Sequence, residues 1–164
     1  MRKFIQQKLK NQKGLTLIEL LAVIVILAII AAIAIPAIGN IIENSRYSAV
    51  KSDAVNVLSA ANIYYTENPS GPMVTTGTAP NIVNTPTTLT VQILKTEGFI
   101  ENEGKIPLAA TIVEDTTVNS LELTADAIDF AGTKKVKFTG ASVKGINNNT
   151  TKGSSVSGTE TISN

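Results

Sequence analysis

The chain has 164 residues, 43% of them hydrophobic, and a formal net charge of +1. That length fits one domain, and a charge so close to zero points to no particular partner. The chain contains neither cysteine nor histidine. A disulfide framework, a Cys/His zinc site, and catalysis by a serine–histidine or cysteine–histidine pair are therefore excluded.

Charge is distributed unevenly along the chain. Residues 1–14 contain five basic residues and no acidic one, whereas residues 15–164 contain nine basic and thirteen acidic residues. The basic N-terminus is therefore a separate functional piece. The rest of the chain is mildly acidic.

A long apolar segment follows the basic N-terminus. Residues 20–35 contain no polar side chain, and the single charge in residues 15–42 is Glu19. About twenty apolar residues span a bilayer as a helix, and a helix that is apolar on all sides is not built to face water. The preceding cations favour a cytoplasmic N-terminus. We predict a transmembrane helix over residues 15–38.

The helical pattern continues beyond Pro36 and Gly39, over residues 39–67. Apolar residues recur there at helical spacing with polar residues between them, which predicts an amphipathic helix. Asn68 and Pro69 are a stop signal for it. If the two segments are continuous, the helix is about 78 Å long at 1.5 Å per residue. The predicted core-facing residues are Val50, Ala54, Val57, Leu58, Ala61, Tyr64 and Tyr65.

Residues 68–144 are predicted to form a small α+β head. Four of the six prolines fall between positions 69 and 86, among Thr, Gly and Asn, which favours a loop. Residues 89–95 favour a short helix that stops at Gly98. Their Thr and Val content leaves a strand as an alternative.

From about Ala109 the pattern alternates with a period of two, which indicates strands. In residues 135–138 the lysines fall on one side, and Val136 and Phe138 on the other. This predicts a small antiparallel sheet with one face packed, on the amphipathic helix. Strands are predicted at 111–114, 120–125 and 135–139.

Residues 145–164 are rich in Asn, Thr, Ser and Gly, and we expect a polar tail that is either loose or a sheet edge.

Residues 10–19 read K-N-Q-K-G-L-T-L-I-E. This resembles the prepilin processing signal of type IV pilins and of the pseudopilins of type II secretion and DNA-uptake machines. In that family a membrane aspartyl peptidase cuts after the glycine and methylates the new amine. The resemblance implies that residues 1–14 are a basic leader peptide, removed by a cut between Gly14 and Leu15. It also implies N-methylation of Leu15, although phenylalanine is commonest at that position. Glu19 matches the family's acidic residue, and Pro36 its proline.

The resemblance covers about residues 8–45 and implies a structural role. The fold class would be α+β, a long N-terminal helix with a small antiparallel sheet on its C-terminal half. The chain would be a pilin inserted in the cytoplasmic membrane and polymerised into a surface filament. Glu19 would form the assembly salt bridge with the amine of Leu15 on a neighbouring subunit, and Pro36 would kink the helix.

The partners implied by the resemblance are the prepilin peptidase/methyltransferase, other pilin subunits, membrane lipid and an inner-membrane assembly platform. We expect no enzymatic activity, catalytic residue, cofactor or metal. The alternative within the family is a pseudopilin of a type II secretion or competence DNA-uptake machine. The alternative from another class is a membrane-anchored or secreted binding domain that does not assemble.

A conventional secretory signal is an alternative to this interpretation. The sequence Ala32-Ile33-Ala34 could direct a signal peptidase to cut before Ile35. However, the apolar segment is longer than the 7–15 residues of a signal core, and a carboxylate inside it costs about 2.5–3.5 kcal/mol at mid-membrane. A filament subunit can use that carboxylate, whereas a signal core gains nothing from it.

Three weaker patterns have simpler explanations. The lysines between 134 and 152 could attract nucleic acid, but a solvated strand face is the better interpretation. The acidic residues between 97 and 115 lack the dense ligand spacing of a calcium loop. Two glycosylation sequons, beginning at Asn148 and Asn149, arise easily in an Asn/Thr-rich segment.

Overall fold

The computed structural model describes residues 16–76, 83–115 and 120–164. Its first element is helix α1, Leu17–Glu67, which is 51 residues long and contains Pro36. The two predicted helical segments therefore form one helix. Strands β1 and β2 and a sheet with two short helices follow it: β1 Met73–Thr76, β2 Val83–Pro86, β3 Leu89–Thr90, α2 Val91–Thr96, β4 Thr111–Asp115, β5 Ser120–Ala131, β6 Lys134–Ala141, α3 Val143–Asn148, a 3-10 turn Gly153–Ser155, and β7 Thr159–Ile162.

Contacts divide the chain into two units, Met1–Gly39 and Asn40–Asn164. In the first unit, residues 17–39 are helical. None of the side chains in its most apolar stretch is buried. By length and composition α1 is the one described helix that could cross a membrane. The predicted apolar N-terminal helix is therefore present, and its most apolar stretch is not buried among the described residues.

The second unit is built on a five-stranded sheet in the order β3-β4-β5-β6-β7. All its neighbouring strands are antiparallel except β6 and β7, which are parallel. As predicted, Val136 and Phe138 of β6 are fully buried while Lys135 and Lys137 are partly exposed. The sheet therefore has one packed face.

The buried face of α1 forms one hydrophobic core with that sheet. Tyr47 of α1 meets Phe130 of β5 edge to face, with ring centroids 5.2 Å apart. Further along the helix, Tyr64 meets Phe99 in the same manner at 5.1 Å. The buried helix residues are Tyr47, Val50, Ala54, Val57, Leu58, Ala60, Ala61 and Tyr64. This is the predicted amphipathic face with two differences. Tyr65 is only partly buried, and Tyr47 and Ala60 are buried although the sequence pattern did not predict them.

The prediction of a loop over residues 69–86 was wrong in part. Strands β1 and β2 pair antiparallel within it, with Met73 opposite Pro86. Valine and threonine on both strands favour this pairing, and Pro86 is tolerated because it stands at the end of its strand. Both alternatives for residues 89–95 are present, because Leu89 and Thr90 form β3 and α2 follows. The hydroxyl of Thr90 caps α2 by accepting a hydrogen bond from the backbone N–H of Ile93 at 3.4 Å.

The C-terminal residues belong to the head, which does not end at position 144. Of the two alternatives for residues 145–164, the structure has the sheet edge, because β7 pairs with β6. Three apolar side chains hold the polar segment in place: Ile146 is 0%, Val156 6% and Ile162 2% exposed. Strand β5 also runs beyond the predicted position 125. After a register shift between Ala125 and Ile128, the inward alternation resumes at Ile128 and Phe130.

A fragment beginning at Asn40 is expected to be soluble, monomeric and folded. It contains the whole second unit and loses most of the exposed apolar residues. Its circular dichroism should show both helix and strand. A fragment that stays unfolded, or that folds only with added metal, would contradict this expectation.

Replacing the fully buried Phe138 by alanine should lower the free energy of unfolding by about 3–5 kcal/mol. The matched control Lys137→Ala should change it by less than about 0.5 kcal/mol.

Candidate processing and assembly segment

The start of α1 is capped by two side chains. Glu19 Oε2 accepts hydrogen bonds from the backbone N–H and from the hydroxyl of Thr16, both at 2.8 Å. In return, Thr16 Oγ1 accepts a hydrogen bond from the backbone N–H of Glu19 at 3.3 Å. This reciprocal arrangement is a capping box, which satisfies N–H groups that the first turn of a helix leaves unpaired. Glu19 therefore has a structural role within its own chain.

Only one carboxylate oxygen of Glu19 takes part in the cap. Among residues 16–76, 83–115 and 120–164, no partner contacts Oε1, and the side chain is exposed. A negative charge is favourable at this end of the helix because the N-terminal N–H groups carry partial positive charge. Oε1 can therefore accept a cation from outside the described residues while Oε2 keeps the helix capped.

Thr16 is the functional residue that sequence reasoning missed. The signal was readable, because a threonine followed three residues later by glutamate before an apolar run is the sequence pattern of a capping box. The cap matters for position as well as stability. It fixes where the helix begins and holds the carboxylate at that first turn.

The structure describes only one of the other three predicted site residues. Gly14 and Leu15 lie outside the described residues. Pro36 lies inside α1, with helix on both sides. Having no N–H, Pro36 cannot donate to the carbonyl of Ala32 four residues earlier. The predicted kink at Pro36 and the assembly pairing of Glu19 both stay predictions.

The first part of α1 presents apolar side chains in every direction. The exposed fraction is 83% for Leu17, 58% for Leu27 and 72% for Ile33. Monomeric soluble proteins rarely expose contiguous apolar surfaces of such extent. By length and composition, this part of the helix is suited to an apolar environment such as a membrane.

Residues 9–35 match the family described as the prokaryotic N-terminal methylation motif. The chain carries a pilin-type N-terminal signal. The match includes Gly14, Leu15 and Glu19, while Pro36 falls one residue beyond it. Together with the exposed apolar helix, this motif supports a type IV pilin-like or pseudopilin precursor. Such a motif implies processing by a prepilin peptidase, assembly with other pilin subunits and anchoring in a membrane.

The matched motif covers the N-terminal segment alone. Neither a curated protein nor a solved structure matched the chain. The head is therefore described by its own structure, a five-stranded and mostly antiparallel sheet following a long helix. That layout confirms the α+β, pilin-like fold class predicted from the sequence.

Two of the lysines between positions 134 and 152 form ion pairs within the head. Lys134 Nζ lies 2.8 Å from Glu43 Oε2 and donates to the carbonyl of Ser154 at 3.0 Å. Lys135 Nζ lies 3.2 Å from Asp129 Oδ1. These ion pairs support the interpretation of these lysines as part of a solvated strand face.

The acidic residues considered for calcium do not converge on a site. Lys95 Nζ lies 2.7 Å from Glu103 Oε2, and the hydrogen bond from this lysine lowers the pKa of the Glu103 carboxyl. Within the described part of the chain, no three His, Cys, Asp or Glu side chains are grouped so that they could hold a metal ion.

Proposed function

We propose that this chain is a structural subunit of a type IV pilus-like filament. It is inserted in the cytoplasmic membrane as a prepilin, cut after Gly14, N-methylated at Leu15, and polymerised through the first part of α1. The single observation that carries this proposal is the apolar, uncovered helix that starts inside the methylation motif. The chain acts by assembly, without enzymatic activity and without a cofactor.

The membrane and the filament offer α1 two successive apolar environments. In the bilayer, lipid covers the side chains from Leu17 to Ile35, and the hydrogen bonds of the backbone are satisfied within the helix. In a filament, the same side chains are buried against the helices of other subunits. Burial of apolar surface is worth roughly 25 cal/mol per Å², so a helix exposed on all sides can gain from contact on all sides.

An ion pair between subunits would explain why the apolar segment tolerates the carboxylate of Glu19. Cutting after Gly14 gives Leu15 a free amine, which is a cation at neutral pH with an ordinary pKa near 8. In a bundle of apolar helices, a lone carboxylate is costly, and a cation placed beside it offsets that cost. We propose that the Leu15 amine of a neighbouring subunit binds Oε1 of Glu19, while Oε2 stays in the capping box with Thr16.

The proposal also assigns partners and location. The peptidase/methyltransferase and the assembly platform act on the subunit in the cytoplasmic membrane, where the N-terminus faces the cytoplasm. Other copies of the chain, or related subunits, are its partners in the filament. After assembly the heads are outside the cell. At Pro36 the helix is kinked, and residues 28–35 can loosen when the filament forms because one helical hydrogen bond is already missing.

The expected mature N-terminus is Leu15 carrying a methyl group. We expect peptide mass spectrometry of the membrane form and of sheared surface filaments to find this same terminus in both. A chain that begins at Ile35 would identify a conventional signal peptide and contradict the proposal. A chain cut at Leu15 but present only in the membrane fraction, in cells that make surface filaments from another subunit, would point to a pseudopilin role.

A further inference from the structure

A cluster of polar side chains joins α1 to the C-terminal part of the head. The hydroxyl of Tyr47 donates a hydrogen bond to Asn149 Oδ1 at 2.9 Å. Asn149 Nδ2 donates to Glu160 Oε1 at 3.1 Å. Lys51 Nζ donates to the main-chain oxygen of the same asparagine at 2.6 Å. An amine, an amide and a carboxylate are thus held together with a phenol that donates to the amide oxygen.

The cluster is shielded from water on the side of α1. Tyr47 is only 2% exposed, and Lys51, Asn149 and Glu160 are partly buried. The Lys51 amine also lies 5.8 Å from the centroid of the Tyr47 ring. Among the described residues Lys51 makes no ion pair within 4.0 Å. It is therefore a lysine without a neutralising charge, placed beside a side-chain amide.

The protonation states suit a nucleophilic amine and a hydrogen-bond donor. Burial lowers the pKa of the Lys51 amine, so a larger fraction of it is neutral than of an exposed lysine. Burial and then the charge of Glu160 raise the pKa of Tyr47 to about 12. The Tyr47 phenol therefore keeps its proton at neutral pH and remains a donor to Oδ1. A neutral amine is the form that can attack a carbonyl carbon.

We propose that Lys51 and Asn149 become joined by an intramolecular isopeptide bond. The neutral Lys51 amine attacks Cγ of Asn149, and the hydrogen bond from Tyr47 stabilises the negative charge that develops on Oδ1. Glu160 accepts a proton from the attacking nitrogen and delivers it to Nδ2. The Cγ–Nδ2 bond breaks and ammonia leaves. One amide replaces another, and no oxidant, cofactor or second protein takes part.

The reacting groups are held within one hydrogen-bonded cluster. Lys51 Nζ is already held at the main-chain oxygen of the residue it would attack, and its four-carbon stem can turn the amine towards Cγ. Glu160 is held in place by a second hydrogen bond, from Thr151 Oγ1 at 2.8 Å. Holding reactants together in this way replaces an encounter between molecules by a reaction within one. The product would covalently close a loop between positions 51 and 149.

The test is mass spectrometry of the full chain, purified from membranes in detergent and then denatured. We expect the mass to be lower by one ammonia than the processed sequence requires. Trypsin should release a branched peptide that joins residues 47–95 to residues 145–152, because cleavage at a modified Lys51 is blocked. Finding only the separate peptides 47–51 and 145–152, with no loss of ammonia, would overturn the proposal.

Variants identify the groups that react. Lys51→Arg and Asn149→Ala should each abolish the branched peptide, and Glu160→Gln should reduce or abolish it because glutamine cannot carry the proton. The matched controls Lys144→Arg and Asn148→Ala change an exposed lysine and the neighbouring asparagine, and both should retain it. A branched peptide that persists in Lys51→Arg would overturn the assignment. The mass of the wild-type chain decides the question even if a variant fails to fold.

Discussion

Cells that carry Glu19→Ala are expected to make few filaments or none, although the subunit is inserted and processed normally. Insertion should not suffer, because the substitution removes a polar group from the apolar segment. Assembly should fail because the buried Leu15 amine of a neighbour loses its partner, and breaking a buried pair costs about 3–5 kcal/mol. The loss recurs at every subunit of the filament. The measurement is the yield of sheared filaments beside the membrane abundance of the processed subunit.

The capping box complicates this test, because Glu19→Ala removes the cap as well as the charge. Glu19→Gln separates the two roles, since glutamine can occupy the same position of a capping box. If charge pairing drives assembly, Glu19→Gln fails as Glu19→Ala does. Thr16→Val keeps the carboxylate but removes the hydroxyl, and loss of a capping residue costs about 0.5–2 kcal/mol. We expect Thr16→Val to reduce filament yield much less. Normal yield with Glu19→Gln would refute the pairing and leave capping as the function of Glu19.

Gly14→Val is expected to leave the full-length precursor in the membrane and to abolish filaments. A branched side chain beside the scissile bond should not fit where the peptidase accepts glycine. Without the cut there is no free amine at Leu15, so both the methylation and the proposed pairing with Glu19 are lost. The mass of the membrane-bound chain reports the outcome directly.

Gln12→Val is the matched control for Gly14→Val, because it places the same side chain in the leader two residues away. It should be processed to Leu15 and should assemble. Wild-type processing of Gly14→Val would show that the glycine is not required and would weaken the assignment of residues 1–14 as a prepilin leader. A defect in both variants would indicate that the leader is sensitive to any apolar substitution.

The elements predicted correctly are those whose burial repeats at short intervals. The apolar residues of α1 and the alternation of Lys135, Val136, Lys137 and Phe138 report which side is covered, so periodicity reveals both elements. The cap at Thr16 was also readable, because its partner lies only three residues away. In these cases the information is local to the sequence.

The features that were missed depend on residues far apart in the chain. The polar C-terminal segment contains three isolated apolar residues that are buried: Ile146, Val156 and Ile162. Because they do not recur at a regular spacing, the sequence pattern does not predict their burial. The contact of Tyr47 with Asn149 joins positions 102 residues apart, and nothing near either residue predicts it. Strands β1 and β2 were missed for another reason. The prolines in this segment favour a loop, whereas its valine and threonine residues favour strands.

The distant contacts also decide when the head can finish folding. The backbone N–H of Ser154 donates to the side chain of Asn44 at 2.8 Å across 110 residues, and Lys134 reaches Glu43 across 91. Such pairings close large loops and slow folding. A chain is made from its N-terminus, so Asn44 leaves the ribosome long before its partner exists. Until the last strand arrives, the inner side of the helix around Tyr47 is incompletely covered, and the newly made subunit is at its most vulnerable to aggregation and proteolysis in that interval.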